Sequence, residues 1–268
     1  MTASLLGIAI GIVMGLSGAG GGILAVPALI FVLGWPLAQA APVALVAVSI
    51  AASLGTIEGL KRGLVRYRAA ALMGAVGISF TPLGVAVASV APENLLLLVF
   101  AAAMAVVSIR MFRGDDPQAA GPATESVPLQ IDASTGRLHW TRRSAAVLAA
   151  IGAAAGFLSG LLGVGGGFFI VPALRRFSDI TMQGVVATSL AVIALVSAGA
   201  VVASSLHSHA PALATAAPFA LGAAAGMIAG RIGSRHLKPL QLQRSFAAVT
   251  AVVALAVFAR VVLSWTRP

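Results

Sequence analysis

The sequence predicts an all-α polytopic membrane protein built from two inverted-topology repeats, each a broken Gly-rich helical hairpin followed by three transmembrane helices. Three observations predict it. The first is composition: the 268 residues are 59% hydrophobic and 9% charged, with a mean hydropathy of +1.03, against about 25% charged in an average soluble protein. A soluble globule cannot hide that much apolar surface. The second is an internal duplication. Residues 11–29 read GIVMGLSGAGGGILAVPAL and residues 156–174 read GFLSGLLGVGGGFFIVPAL, so a shift of 145 superimposes Gly11 on Gly156, Gly15 on Gly160, Gly18 on Gly163 and Pro27 on Pro172. The same shift lays the triplet Gly20, Gly21, Gly22 on Gly165, Gly166, Gly167. The third is loop charge. The loop after the first full span is basic in the first half (Lys61, Arg62, Arg66, Arg68) and lacks Lys and Arg in the second (206–211). The next loop reverses this, cation-free at 91–94 but carrying Arg231, Arg235, Lys238 and Arg244 in the second half. Positive residues mark the cytoplasmic side, so equivalent loops face opposite sides, as inverted repeats require.

In chain order, residues 3–33 form an apolar stretch broken at the glycines. Its arms of about 15 and 12 residues reach only about 18–23 Å, short of the ~30 Å hydrocarbon core. No Lys or Arg precedes Lys61, so this stretch lacks the basic start of a signal peptide and reads as a retained membrane segment. Spans follow at 40–60, at 69–90 with an interruption at Thr81-Pro82, and at 95–109. Residues 114–143 are the one polar segment of any length and read as a linker, with a small β-hairpin around Ser134-Thr135-Gly136. The second half repeats the plan: a broken pair at 144–174, a basic turn at Arg175-Arg176, and spans at 182–204, 212–230 and 245–263. The expected division is a first membrane repeat at 1–113, a cytoplasmic linker at 114–143 and a second repeat at 144–268.

If each broken pair enters and leaves on one face, 15 of the 17 Lys and Arg residues, all but Arg260 and Arg267, fall on the cytoplasmic side. Both termini are then extracytoplasmic. The span count is six plus two re-entrant hairpins, ten if every arm crosses, or eight if helices merge.

A glycine triplet between apolar runs, with proline five residues on, makes a poor continuous helix: glycine costs about 1 kcal/mol and interior proline about 3 kcal/mol relative to alanine. It predicts a helix that stops, turns and restarts. In a membrane, such a break is tolerated where protein or a water-filled cavity satisfies the backbone, and paired breaks in two halves point to a transporter's binding site. A helix restarting after each triplet offers unpaired N–H groups and a positive dipole end, which hold an anion without a buried cation. The expected anion-contacting residues are Ser17, Gly18, Gly20, Gly21 and Gly22 in the first copy and Gly163, Gly165, Gly166 and Gly167 in the second. Thr188 and Ser189 add hydroxyls, with Ser49 and Ser53 on the first-half counterpart. Glycine-mediated helix packing is the competing explanation, and the mirrored duplication weighs against it.

What is absent narrows the function further. Within the expected spans the ionisable residues are Glu58 and Arg260; Glu58 is expected to pair with Lys61 or Arg62 rather than to carry protons. His207 and His209 form an HxH with no further ligand nearby and read as loop residues, so neither a metal nor a cofactor is expected. Gly163 to Gly167 is no phosphate loop, lacking the Lys-Ser/Thr ending. No span presents a catalytic constellation, which argues against an enzyme. The chain has no cysteine and hence no disulfide. Its +10 net charge would suggest nucleic acid for a soluble protein, but here the cations sit in short loops between apolar runs, and nucleic acid is not an expected partner.

The doubled G-x-G-G-G-x-x-x-x-P-A-L motif (18–29 and 163–174), the run Val186-Ala187-Thr188-Ser189-Leu190 and the polar linker resemble the sulfite exporter TauE/SafE family of bacterial inner-membrane permeases. The resemblance covers nearly the whole chain. It implies export or exchange of sulfite, sulfonates or related sulfur-containing or organic anions, with substrate contacts at the two Gly-rich turns and at Thr188 and Ser189. In the first half the corresponding run is Ala41-Pro42-Val43-Ala44-Leu45-Val46, where the family commonly has a Thr-Ser pair, so the hydroxyl contribution is one-sided. The implied partners are a small anion and the lipid bilayer, with a coupling proton or ion for an energised carrier; the architecture also admits a homo-oligomer. Two rivals stand beside this reading: a cation-conducting or cation-coupled protein of the same fold, and a non-transporting membrane scaffold.

Overall fold

Among the described residues, each half contributes five helices in the same order. The first runs α1 (Thr2–Ser17), a 3-10 segment (Gly18–Leu24), α2 (Ala25–Leu33), α3 (Leu37–Lys61), α4 (Tyr67–Val90) and α5 (Glu93–Phe112). The second runs α6 (Arg142–Leu162), α7 (Gly167–Phe177), α8 (Met182–Leu206), α9 (Leu213–Gly233) and α10 (Pro239–Thr266). The structure is a computed structural model that describes residues 2–112, 129, 140–178, 180–206, 213–233 and 239–266. The hairpin expected around Ser134 and the His207/His209 turn lie outside the described residues.

Among the described residues, seven helices are long and apolar enough to cross a bilayer: α3, α4, α5, α6, α8, residues 216–233 of α9 and 245–263 of α10. The chain is a multi-pass membrane protein. The hairpin arms are unequal. At 16 residues α1 reaches about 24 Å, short of the hydrocarbon core as its apolar length predicts, but α6 with 21 residues reaches about 31 Å and is long enough to cross alone. A capping box opens α6: the Thr141 hydroxyl accepts from the Ser144 amide (3.0 Å) and the Thr141 amide donates to the Ser144 hydroxyl (2.7 Å). The interruption expected at Thr81-Pro82 is not there either, since α4 runs unbroken through Pro82. The fully buried Thr81 hydroxyl donates to the Gly77 carbonyl one turn earlier, and packing against α6 holds the turn that proline weakens.

Packing exchanges partners between the halves: α1 lies on α9, and its equivalent α6 lies on α4. Both pairs are parallel and glycine-lined. Cβ atoms at Gly7, Gly11 and Gly15 of α1 would strike the backbone of Phe219, Ala223 and Met227 in turn, and Gly222, Gly226 and Gly230 of α9 lie as closely on Ser4, Ile8 and Ile12. The second pair repeats this with Gly152, Gly156 and Gly160 against Met73, Gly77 and Thr81. These glycines at four-residue spacing let backbones touch, the dominant packing term where lipid removes the hydrophobic drive. Between these pairs α3 and α8 cross antiparallel, since residue numbers fall on one as they rise on the other: Ser49 meets Ala194, Gly55 meets Leu190 and Gly59 meets Ala187. Helices α5 and α10 pack mainly on each other, with the Ser108 hydroxyl donating to the Ala247 carbonyl (3.0 Å).

One end of the bundle gathers the described basic segments at 61–68, 142–143 and 175–176 with the last turn of α9. There α3 ends against α9 through Glu58 and Arg231, the Arg66 amide donates to Thr188 of α8 (3.0 Å), and Leu129 bridges to Ser178 after α7. The other end holds the turns at 34–36 and 91–92. There the Glu93 carboxylate opens α5 and accepts the Leu37 amide (3.1 Å), satisfying an orphan donor at the start of α3.

Candidate functional site: two glycine-rich breaks at mid-bundle

The site grows from the α3–α8 crossing. Residue 49 is the centre of α3 and residue 194 the centre of α8, and there the Ser49 hydroxyl donates to the Ala194 carbonyl at 3.2 Å. Both breaks pack beside that point. A Cβ at Gly22 would sit 3.3 Å from the Val164 carbonyl oxygen and 3.4 Å from Val48 Cγ2. One at Gly165 would sit 2.6 Å from Ser197 Oγ, 2.9 Å from Val48 Cγ1 and 3.1 Å from Ile193 Cγ2. The two breaks therefore touch each other and share Val48. Gly21 lies on Met14, and Gly166 on Ala155.

The two copies differ in conformation. In the first, Gly18, Gly20, Gly21 and Gly22 all lie in the 3-10 segment, and α2 restarts at Ala25, three residues beyond the triplet. The restart expected immediately after Gly22 is displaced because the tighter helix keeps its amides in use; that of Ala25 still donates to the Gly22 carbonyl. In the second copy Gly163, Gly165 and Gly166 have φ of 72°, 75° and 69°, a left-handed conformation that glycine reaches without steric cost. Gly163 caps α6, its amide donating to the Ser159 carbonyl at 2.9 Å. Gly166 is the N-cap of α7, and the first amides to bond its carbonyl are those of Phe169 and Ile170. The amides of Gly167 and Phe168 thus precede the first intrahelical bond, at the positive end of an 11-residue helix.

Of the hydroxyls singled out from sequence, most are occupied by protein. Ser17 donates to the Val13 carbonyl (2.7 Å), Ser49 to Ala194 and Ser53 to Ser49. Thr188 accepts the Arg66 amide and belongs to the α3–α4 junction at the basic end, away from the breaks. Ser189 is fully buried with no hydrogen-bond partner among the described residues. Two further serines, missed in the sequence, share that state: Ser159 and Ser197, both fully buried and unpartnered. Ser189, Ile193 and Ser197 recur every four residues and so form one stripe of α8 toward the break. Ser159 lies one turn from Ala155, whose carbonyl is 2.7 Å from the Cβ position of Gly166, and so faces the same turn. A four-residue scan from Ser189 and from Gly163 would have found both.

The described ionisable residues lie elsewhere. Glu58 pairs with Arg62 (2.5 Å), as expected, and also with Arg231 of α9 (2.7 Å), whose Nη1 donates to the Gly55 carbonyl at 3.1 Å. Arg231 is not in a loop after α9 but in its last turn.

A family model described as sulfite exporter TauE/SafE matches residues 3–257. Two relatives from Xylella fastidiosa, strains Temecula1 / ATCC 700964 and 9a5c, both named "Probable membrane transporter protein", are 36% identical over 166 residues. That alignment spans 62% of this chain and 58% of theirs. No solved structure matches. With that match laid over almost every helix of the bundle, the chain belongs to the sulfite exporter TauE/SafE family of membrane transporters.

Proposed function

We propose that the protein is a permease for small anions, namely sulfite, sulfonates or related sulfur-containing or organic anions, working by alternating access at the two glycine-rich breaks. One observation carries the reading: breaks 145 residues apart in sequence lie against each other at the centre of the bundle, where α7 presents free amides and Ser159, Ser189 and Ser197 are buried without partners. The amides can only donate and the hydroxyls can turn to donate, so an acceptor-rich ligand satisfies both, and a helix N-terminus adds the dipole. The substrate would meet Gly20, Gly21, Gly22, Gly163, Gly165, Gly166 and Gly167, with Gly18, Ser17 and Ser189 around them and Thr188 on the way to the basic end.

Antiparallel pairing of the equivalent helices α3 and α8 supports an inverted-repeat mechanism, in which one half opens as the other closes. The clustering of cations supports a topology in the cytoplasmic membrane with the basic end and the 114–143 linker inside and both termini outside. The repeats would then be 1–113 and 144–268. A proton or ion gradient would set the direction.

The test is flux of labelled sulfite and a short sulfonate through purified protein in liposomes, with and without a pH gradient, beside Gly22→Leu/Gly167→Leu. Saturable flux lost in an inserted double variant supports the site. Undiminished flux in that variant rules it out, and flux that follows the cation and ignores the anion overturns the substrate class.

A further inference from the structure

We propose that Arg231 is an anion-docking residue at the basic mouth of the bundle, held by Glu58 until a substrate oxyanion displaces it. The proposal rests on the anion-transport reading. Its basis is a cleft of about 240 Å³ between α3 and α9, lined by Leu54, Gly55, Glu58, Met227, Ile228 and Arg231 among others. Gly55 stands seven residues along α3 from Val48, about 10 Å toward the basic end. Its Cβ position is 2.8 Å from Leu190, the neighbour of the unpartnered Ser189. The cleft therefore lies between the level of the breaks and the basic end.

The ion pair is built for exchange. Arg231 and Glu58 side chains are 22% and 32% exposed, so neither is locked in the interior of the bundle. Arg231 directs Nε at Glu58 Oε2 and Nη1 at the Gly55 carbonyl, while Glu58 gives its other oxygen, Oε1, to Arg62. An oxyanion offers a guanidinium the same oxygen pair as a carboxylate. When it takes Arg231, Glu58 keeps Arg62, so neither side chain is left as a bare charge. The repeat does not demand this pair either: the shift of 145 puts Ala203 and Ala86 at the equivalent positions. It marks one mouth only.

A lipid phosphate shares this chemistry, so the experiment separates the sources. Sulfite flux is measured for the full chain in phosphatidylcholine vesicles, and again with phosphatidylglycerol added. Arg231→Gln should raise KM about tenfold at little changed maximal rate, the weight of one charged hydrogen-bonded contact, and Glu58→Gln should lower KM. Loss of maximal rate and of folded yield with KM unchanged would make the pair a structural clasp and overturn the proposal. So would KM shifts seen only with phosphatidylglycerol present, which would assign Arg231 to a lipid headgroup. Thermal stabilisation by sulfite and by inorganic phosphate in detergent supplies the second readout, expected in the wild type and shifted to about tenfold higher anion concentration in Arg231→Gln. If wild-type vesicles carry no anion yet this stabilisation depends on Arg231, docking stands and the transport reading fails. If flux saturates and Arg231→Gln leaves KM and stabilisation untouched, transport stands and docking fails.

Discussion

Ser197 is fully buried with its hydroxyl unpartnered, an arrangement that costs stability unless a ligand repays it. Ser197→Ala should therefore raise the unfolding temperature, with a gain of about 1 kcal/mol, while raising KM for the transported anion. A variant that is both less stable and unchanged in KM would show the hydroxyl to be structural. The neighbouring glycine couples to it. Gly165→Ala adds a Cβ in a left-handed conformation and 2.6 Å from Ser197 Oγ, for a conformational cost of about 1–2 kcal/mol plus the clash. Removing the hydroxyl relieves only its own share of the clash, leaving Val48 Cγ1 at 2.9 Å. The double variant should therefore be more stable than the sum of the singles, by a coupling of about 0.5 kcal/mol or more.

At the scale of elements, glycine serves two purposes that one motif conceals. Gly11 and Gly15, and their equivalents Gly156 and Gly160, lie where α1 meets α9 and α6 meets α4, with neighbouring backbone in the place of a Cβ. Gly11→Leu or Gly226→Leu should thus force α1 off α9 and abolish folded, monodisperse protein, read by size-exclusion profile and protease resistance. Gly34 is the control. It has φ of 69° and nothing within 4 Å of its Cβ position, so Gly34→Ala should cost only the conformational strain of about 1–2 kcal/mol and leave the bundle intact.

For the whole molecule, the decisive property is sidedness. The native chain contains no cysteine, so a single introduced one reports its own environment. Gln39 and Lys61 are both exposed, at the two ends of α3. An impermeant maleimide added to intact cells should label Gln39→Cys and spare Lys61→Cys until the membrane is opened. The reverse pattern would invert the topology and put the basic end outside, against the positive-inside rule.

Much of this architecture was legible in the residues. Composition demanded a membrane solvent, the shift of 145 demanded two equivalent halves, and apolar length located most helices, because each signal is local or additive along the chain. The Glu58–Arg62 pair was legible for the same reason, one helical turn separating its members. What no local rule could supply was where the halves meet. The residues prescribed two glycine-rich breaks with one pattern, and packing settled that one would wind as 3-10 helix while three glycines of the other became left-handed. Glycine is nearly indifferent between those conformations, so the choice falls to its neighbours. Likewise Arg231 reads as a loop cation until α9 is packed beside α3, and Ser159 and Ser197 read as ordinary helix serines until burial removes water. Hydrogen-bonding need and charge pairing are properties of an environment, and only the fold supplies the environment.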